Sequence, residues 1–137
     1  MKIMDPSDST GEFSLTSFFR MKKPCGNCPF LKDGAIALAP GRLQGIVEHL
    51  YASDENSFWC HETVHNDRIG GDFDDETGEY RSSGKEAHCA GAAIFLQKQG
   101  MSSKWMRIAY ATGTLDFQQI CEQAEKIIDQ PSDARTL

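Results

Sequence analysis

The sequence predicts a small single α+β domain, with three to four helices around a short irregular β layer, pinned by a four-cysteine metal site. Apolar residues recur at helical spacing in several stretches, and a short aromatic segment between polar turns indicates a strand. With 137 residues, 39% of them hydrophobic and 25% charged, the chain has the size and composition of one globular domain with a modest core.

The first two predicted helices lie on either side of the aromatic segment. Pro40-Gly41-Arg42 opens the first, which we expect to run to about Ala52. The second is expected over residues 87–99, with Cys89 in its first turn and Gly100 as the stop signal. The apolar face of the first helix is expected to consist of Leu43, Ile46, Val47 and Leu50.

Two further helices are predicted towards the C-terminus. Ser102 or Ser103 caps one that extends to about Ala111, with Trp105, Met106, Ile108 and Ala109 facing inward. Thr114 or Asp116 caps the last, which is expected to reach about residue 130. Its inward stripe is predicted to contain Phe117, Ile120, Cys121, Ala124, Ile127 and Ile128.

The remaining segments are predicted to be extended or irregular. We divide the chain into a flexible N-terminal arm over residues 1–20, a metal-binding domain over residues 21–130 and a tail over residues 131–137. Within the domain, Ser57–Cys60 is the expected strand. Residues 66–84 are rich in Gly and Asp and are expected to form a surface loop or an irregular hairpin.

Four cysteines are the candidate metal ligands. Cys25 and Cys28 form a Cys-x-x-Cys turn that can supply half of a tetrahedral site, and Cys60 and Cys89 are candidates for the other half. Zinc is favoured because structural zinc sites are common. A [4Fe-4S] cluster is the alternative, because such clusters tolerate scattered single cysteines. If no metal binds, Cys60 and Cys89 are simply buried apolar residues.

Two histidines adjoin these cysteines. His61 follows Cys60 and His88 precedes Cys89, so each could replace a thiolate as ligand or orient one through a hydrogen bond. Cys121 is left out of the site because it lies on the stripe assigned to the core.

Charge and cysteine count limit the partners and the compartment. Five cysteines cannot all pair, and no apolar run approaches the roughly 20 residues that span a bilayer. Acidic residues at Asp5, Asp8 and Glu12 interrupt the place of a signal-peptide core. We therefore expect a cytoplasmic protein with reduced thiols and no membrane contact. The net charge of −6 argues against a nucleic-acid partner.

The string His61-Glu62-Thr63-Val64-His65 is a literal H-E-x-x-H motif. On a helix this motif brings two imidazoles to one zinc ion, with the glutamate as general base. An extended metalloprotease motif would need Gly at position 68 and His at position 71, where this chain has Arg68 and Gly71. A zinc hydrolase is therefore only a third hypothesis, and no catalytic residue is assigned. In such a hydrolase, Glu62→Gln would abolish hydrolysis and leave the metal content unchanged.

An ordered set of motifs carries a family resemblance: Lys23-Pro24-Cys25-Gly26-Asn27-Cys28-Pro29-Phe30, Asp33-Gly34-Ala35-Ile36, Pro40-Gly41-Arg42-Leu43, Phe58-Trp59-Cys60-His61, Cys89-Ala90-Gly91-Ala92, Leu96-Gln97-Lys98-Gln99-Gly100 and Met106-Arg107-Ile108-Ala109. This combination, over about residues 22–112, resembles a small cysteine-rich family of phages and bacteria with no characterised function. The resemblance implies metal binding through a pattern of Cys25, Cys28, Cys60, His61 and Cys89, and a phage or prophage origin. Family members are expected to carry a basic residue where this chain has Glu62, which makes the H-E-x-x-H string a local accident.

These observations predict a small metal-binding protein with a four-cysteine centre that holds structural zinc. We expect it to act as a phage or prophage accessory factor through a protein partner, and we do not favour an enzyme. The alternatives are an iron–sulfur protein with a redox or sensing role and the H-E-x-x-H hydrolase.

Overall fold

The computed structural model describes residues 14–60, 64, 72–73, 76–77, 80–81, 86–133 and 136. This part of the chain is mostly helical. Its α-helices are α1 (Leu15–Phe18), α2 (Arg42–Ala52), α3 (Ala90–Lys98), α4 (Lys104–Ala111) and α5 (Phe117–Glu122), and single 3-10 turns follow at Ala124–Lys126 and Pro131–Asp133.

The predicted α+β class is wrong, because the described residues build no β layer. Extended pairing among them is limited to one antiparallel pair of two-residue strands, β1 (Asp72–Phe73) with β2 (Tyr80–Arg81), and to isolated bridges. The aromatic segment before Cys60 contributes a single bridge, from Trp59 to His88. One bridge satisfies few backbone groups, so helices and loops supply the core instead.

Helix α3 lies at the centre of the core. Every residue from Ala90 to Leu96 is buried, and an apolar surface on all sides is typical of a helix surrounded by protein. The helix begins at Ala90, three residues later than predicted, so Cys89 is its N-cap and not a residue of its first turn. The Cys89 Sγ accepts a hydrogen bond from the Ala92 N–H at 3.4 Å. A thiol therefore takes the capping role that Ser or Asp usually fills.

Helices α2 and α4 confirm the sequence predictions closely. Gly41, at φ 82°, stands at the N-cap of α2 in the left-handed region that glycine adopts without strain. The Ser103 hydroxyl caps α4 by accepting the Met106 N–H at 3.2 Å. Ile108 differs from the prediction, because it is 36% exposed. The predicted apolar face of α2 is buried as expected: Leu43, Ile46, Val47 and Leu50.

Helix α5 is shorter than predicted, since it ends at Glu122. Asp116 caps it, as one of the two predicted candidates. Phe117 is 53% exposed and Cys121 is also exposed, so their assignment to the core is wrong. With only six residues, α5 is too short for the predicted stripe to lie on one helix.

The segment after α5 buries its apolar residues in extended backbone. Ile127 forms an antiparallel bridge with Leu31, and the Ile128 N–H donates to the Phe30 carbonyl at 3.0 Å. Both isoleucines are almost fully buried. They therefore fill the core as predicted, but by pairing with the loop that follows Cys28 and not as part of a helix.

Lys98, at the end of α3, fastens this C-terminal segment to the core. Its ammonium group donates to the carbonyls of Ala124 at 2.9 Å and Ile127 at 2.6 Å. It also lies 2.8 Å from a carboxylate oxygen of Asp129. The Lys98 side chain is 16% exposed and that of Asp129 is 68% exposed. The hydrogen bonds to the carbonyls are therefore better shielded from water than the ion pair with Asp129.

The N-terminal residues that the structure describes pack on the core. Helix α1 begins after Ser14, whose hydroxyl caps it, and Phe18 and Phe19 are buried. Their rings contact the His88 imidazole at centroid distances of 5.4 and 5.3 Å. Residues 14–20 of the predicted arm thus contribute aromatic packing, and residues 1–13 lie outside the described part. No helix in the described part is both long and apolar enough to cross a membrane.

We expect Lys98→Met to lower the free energy of unfolding by about 2 kcal/mol, because it removes charge-assisted hydrogen bonds to two carbonyls. Urea denaturation followed by circular dichroism measures the effect. Asp129→Asn is the matched control, since it removes only an exposed ion pair, and it should move the midpoint little. Equal losses in both variants would contradict the role given to the carbonyl contacts.

Candidate metal centre

The structure brings two of the predicted ligands together. The Sγ atoms of Cys28 and Cys89 lie 3.5 Å apart, and both side chains are buried. A disulfide would require about 2.05 Å, so the two sulfurs are not bonded. Two thiolates on one tetrahedral zinc ion would lie about 3.8 Å apart, given Zn–S bonds of about 2.3 Å. The observed separation is therefore close to that of two ligands of one metal.

Cys28 is held in place by a tight turn. Its N–H donates to the Cys25 carbonyl at 3.1 Å, and its own carbonyl accepts from the Leu31 N–H at 3.0 Å. The Asn27 carbonyl accepts from the Ile36 N–H at 2.9 Å, which closes the loop behind the turn. Successive short-range hydrogen bonds fix the backbone here, as the Cys-x-x-Cys spacing predicts.

Backbone pairing brings Cys60 near Cys89. The Cys60 N–H donates to the Ala87 carbonyl at 2.7 Å, and the Cys89 N–H donates to the Phe58 carbonyl at 2.7 Å. These bonds flank the Trp59–His88 bridge. The raised pKa of the Cys89 thiol has the hydrogen bond to Cys28 as its largest cause, and Cys60 is near enough to add a small contribution.

The two central thiols have pKa values shifted in opposite directions. The hydrogen bond from Cys89 lowers the pKa of Cys28, and backbone N–H groups of Phe30 and Gly91 and the thiol of Cys25 lower it further. The same hydrogen bond to Cys28, together with burial, raises the pKa of Cys89 well above its usual range. Cys28 is therefore the more acidic thiol of the pair, and its titration is coupled to that of Cys89.

Gly91 makes the close approach of Cys28 to α3 feasible. A Cβ atom at this position would overlap the Cys28 Sγ, and it would lie 3.2 Å from the Phe30 Cβ and 3.7 Å from the Cys89 Sγ. With no side chain, Gly91 lets its backbone N–H reach the Cys28 sulfur. No signal in the sequence identifies the N–H groups of Phe30 and Gly91 as hydrogen-bond donors to this sulfur.

The four-cysteine centre that was predicted to pin the fold is not assembled in the described residues. Cys28 contacts Cys25 and Cys89, but within the described part no group of three or more His, Cys, Asp or Glu side chains is arranged to hold a metal ion. Cys25 is half-buried, and its thiol donates to the Asn27 side-chain oxygen at 3.6 Å. This part of the fold prediction is corrected accordingly. All four cysteines nevertheless lie in the core cluster or against it.

Of the two histidines predicted as possible ligands, the structure describes only His88. His61 lies outside the described residues, as do Glu62 and His65 of the H-E-x-x-H string. His88 is 1% exposed, and burial lowers its pKa to about 4, so the ring is neutral. Its Nδ1 lies 2.9 Å from the Cys89 carbonyl, and among the described residues its Nε2 has no hydrogen-bond partner. The ring packs against aromatic side chains and is not grouped with the thiols.

Comparison with known proteins found no matching family model, no matching curated protein and no matching solved structure. The resemblance to a cysteine-rich phage family therefore stays a prediction. The evidence about this site therefore comes from the distances and hydrogen bonds of its own cysteines.

We expect Gly91→Ala to lower the free energy of unfolding by about 1–3 kcal/mol, because the added methyl group must displace the Cys28 sulfur or the helix. Gly45→Ala in α2 is the matched control, since a Cβ there meets no heavy atom within 4 Å. It should stabilise the protein by about 0.4–1 kcal/mol, because alanine favours the helix. Urea denaturation of both variants measures the contrast. A neutral Gly91→Ala would contradict the close packing of α3 on the Cys28 turn.

Proposed function

We propose that this chain binds a structural zinc ion through Cys28 and Cys89, with Cys25 and Cys60 as the other two ligands. The observation that carries the proposal is the buried pair of sulfurs 3.5 Å apart. The sequence alone could not distinguish such a pair from two unrelated core cysteines.

The hydrogen bonds around the sulfurs support thiolate ligands. Backbone N–H groups of Phe30 and Gly91 point at the Cys28 sulfur, and that of Ala92 points at the Cys89 sulfur. A buried anion is costly unless donors or a cation compensate its charge. Three N–H donors aimed at two buried sulfurs suit a pair of metal-bound thiolates better than two neutral thiols. A bound metal ion would supply the rest of the positive charge that two buried thiolates need.

Cys25 and Cys60 are suited to complete the site. Cys25 belongs to the same turn as Cys28 and its thiol contacts the Cys28 sulfur. Cys60 lies on the segment whose backbone pairs with that of Cys89. Bound zinc would supply no redox chemistry there. It would hold the Cys28 turn, the Cys60 segment and the start of α3 together. Because these ligands meet only in the folded chain, metal binding would add to the free energy of unfolding.

An iron–sulfur protein with a redox or sensing role is the alternative, because the same donor set suits a [4Fe-4S] cluster. The close approach of the Cys28 sulfur to Gly91 does not distinguish the two occupants. The metal content decides between them.

The setting that we propose is a cytoplasmic one, because reduced buried thiols bind metal in a reducing compartment. A structural metal also leaves the site without an open position for a substrate. We therefore propose an accessory role exerted through a protein partner. A phage or prophage origin is the part of this proposal that depends on the family resemblance alone.

We expect untagged protein purified without oxygen to contain about one zinc per chain and to be colourless. Cys28→Ser and Cys89→Ser should each lose most of the metal and lower the melting temperature, since both sulfurs are central. Cys121→Ser is the matched control, because Cys121 is exposed on α5 and has no role in the site. Elemental analysis and thermal denaturation measure these outcomes.

Other results of the same experiment have definite meanings. Several irons per chain, together with visible absorption, would show that the site holds an iron–sulfur cluster and not zinc. Absence of metal from the wild type, or unchanged metal in Cys28→Ser, would overturn the proposal. The cysteines would then be core residues.

A further inference from the structure

A groove runs beside α2, away from the thiols. It joins a cavity of about 540 Å³ and a cavity of about 300 Å³. Five residues line both cavities, so the two are adjacent parts of one depression. We call it the aromatic groove and define it by the shared residues Arg42, Ile46, Phe58, Trp59 and Val64.

The helix side of the groove owes its depth to Gly45. Arg42, Gly45, Ile46 and His49 lie on one face of α2, at the spacing of successive helical turns. A Cβ at Gly45 would meet no heavy atom within 4 Å, so the helix has a notch there. Ile46 is buried beneath it and forms the floor.

The opposite side of the groove is aromatic. Phe58 and Trp59 are only partly buried, and both border the two cavities. Phe58 is supported from behind by Phe30, at a ring-centroid distance of 6.1 Å. At the far end, Ile36 is 40% exposed and lines the smaller cavity. Aromatic side chains favour a planar ring as the ligand, because such a ring gains stacking or edge contacts beyond simple burial.

The charges around the groove favour an anion. Arg42 lines both cavities, and it is not among the residues that form ion pairs within the described part of the chain. Glu55 is the single carboxylate among the described lining residues, and it is bonded to Lys104 at 3.1 Å, which holds its pKa below the usual value. In a chain of net charge −6, an arginine with no ion pair to any described residue, beside partly exposed aromatic rings, is a distinct feature.

We propose that the aromatic groove binds a small aromatic carboxylic acid. Its ring packs against Trp59 and Phe58 over the notch at Gly45, and its carboxylate pairs with the Arg42 guanidinium. The cavity volumes lie in the range of small-molecule sites, which are mainly apolar with a few polar groups that fix orientation. None of the proposed metal ligands lines either cavity, so the bound acid would not contact the metal centre.

The test uses isothermal titration calorimetry of the intact protein with 2-naphthylacetate and with its neutral amide, 2-naphthylacetamide. We expect the acid to bind with a Kd of about 1 mM or tighter, which corresponds to an ordinary efficiency for a ligand of this size. The amide should bind at least about tenfold more weakly, since it lacks the charge-assisted contact with Arg42.

Two variants separate the two parts of the proposed contact. Arg42→Gln should reduce the affinity for the acid to that for the amide, and Lys126→Gln, which removes an equal charge at an exposed position outside the groove, should leave it unchanged. Gly45→Leu should abolish binding of both compounds by filling the notch, while thermal denaturation shows the fold intact. The helix at position 45 has open space for the added side chain.

Several results would overturn the proposal. Equal affinity for the acid and the amide would show that Arg42 does not bind the carboxylate. An equal loss of affinity in Lys126→Gln would indicate non-specific charge attraction. Unchanged binding to Gly45→Leu would place the ligand elsewhere. If neither compound binds but the blocked dipeptide acetyl-Trp-Asp-amide does, the groove is a docking surface for a polypeptide and the small-acid proposal is wrong.

Discussion

The burial of α3 on all sides is the constraint on which the described fold depends. A helix whose residues from Ala90 to Leu96 are all buried needs neighbours around its whole circumference. The loops and short helices meet this need in different ways. The Cys28 turn packs where Gly91 has no side chain, and Lys98 fastens the C-terminal segment at the other end. Because the helix begins with small residues, backbone can approach it there, and this is where the thiols meet.

Much of the helical framework could be predicted from the sequence because its signals are local. The apolar face of α2, the Ser103 cap of α4 and the position of Cys89 at the start of α3 all depend on residues within a few positions of each other. The last helix shows the limit of that reasoning. Ile127 continues the helical spacing of α5, yet it is buried by an extended bridge to Leu31. Hydrophobic periodicity indicates which residues are buried, but it does not show which distant segment of the chain packs against them.

The β layer and the site were harder to predict for the same reason. Phe58 and Trp59 have the composition of a strand, but a sheet requires partner strands, and the described residues supply one bridge, to His88. The cysteine spacing identified candidate ligands but could not give the distances between them. That Cys28 and Cys89 meet, while Cys25 contacts the site through Cys28, follows from the packing of a loop on α3.

The segment Phe58–Cys60 connects the two sites that we propose. Its backbone bonds to Ala87 and Cys89 hold the start of α3, and its aromatic side chains form the wall of the groove. Loss of metal from the cysteines would therefore loosen the groove through these backbone bonds. The reverse is not expected, because a Cβ atom added at Gly45 meets no heavy atom within 4 Å. A Gly45→Leu protein that keeps its metal and its melting temperature but loses the aromatic acid would thus assign ligand binding to the groove, independently of the metal.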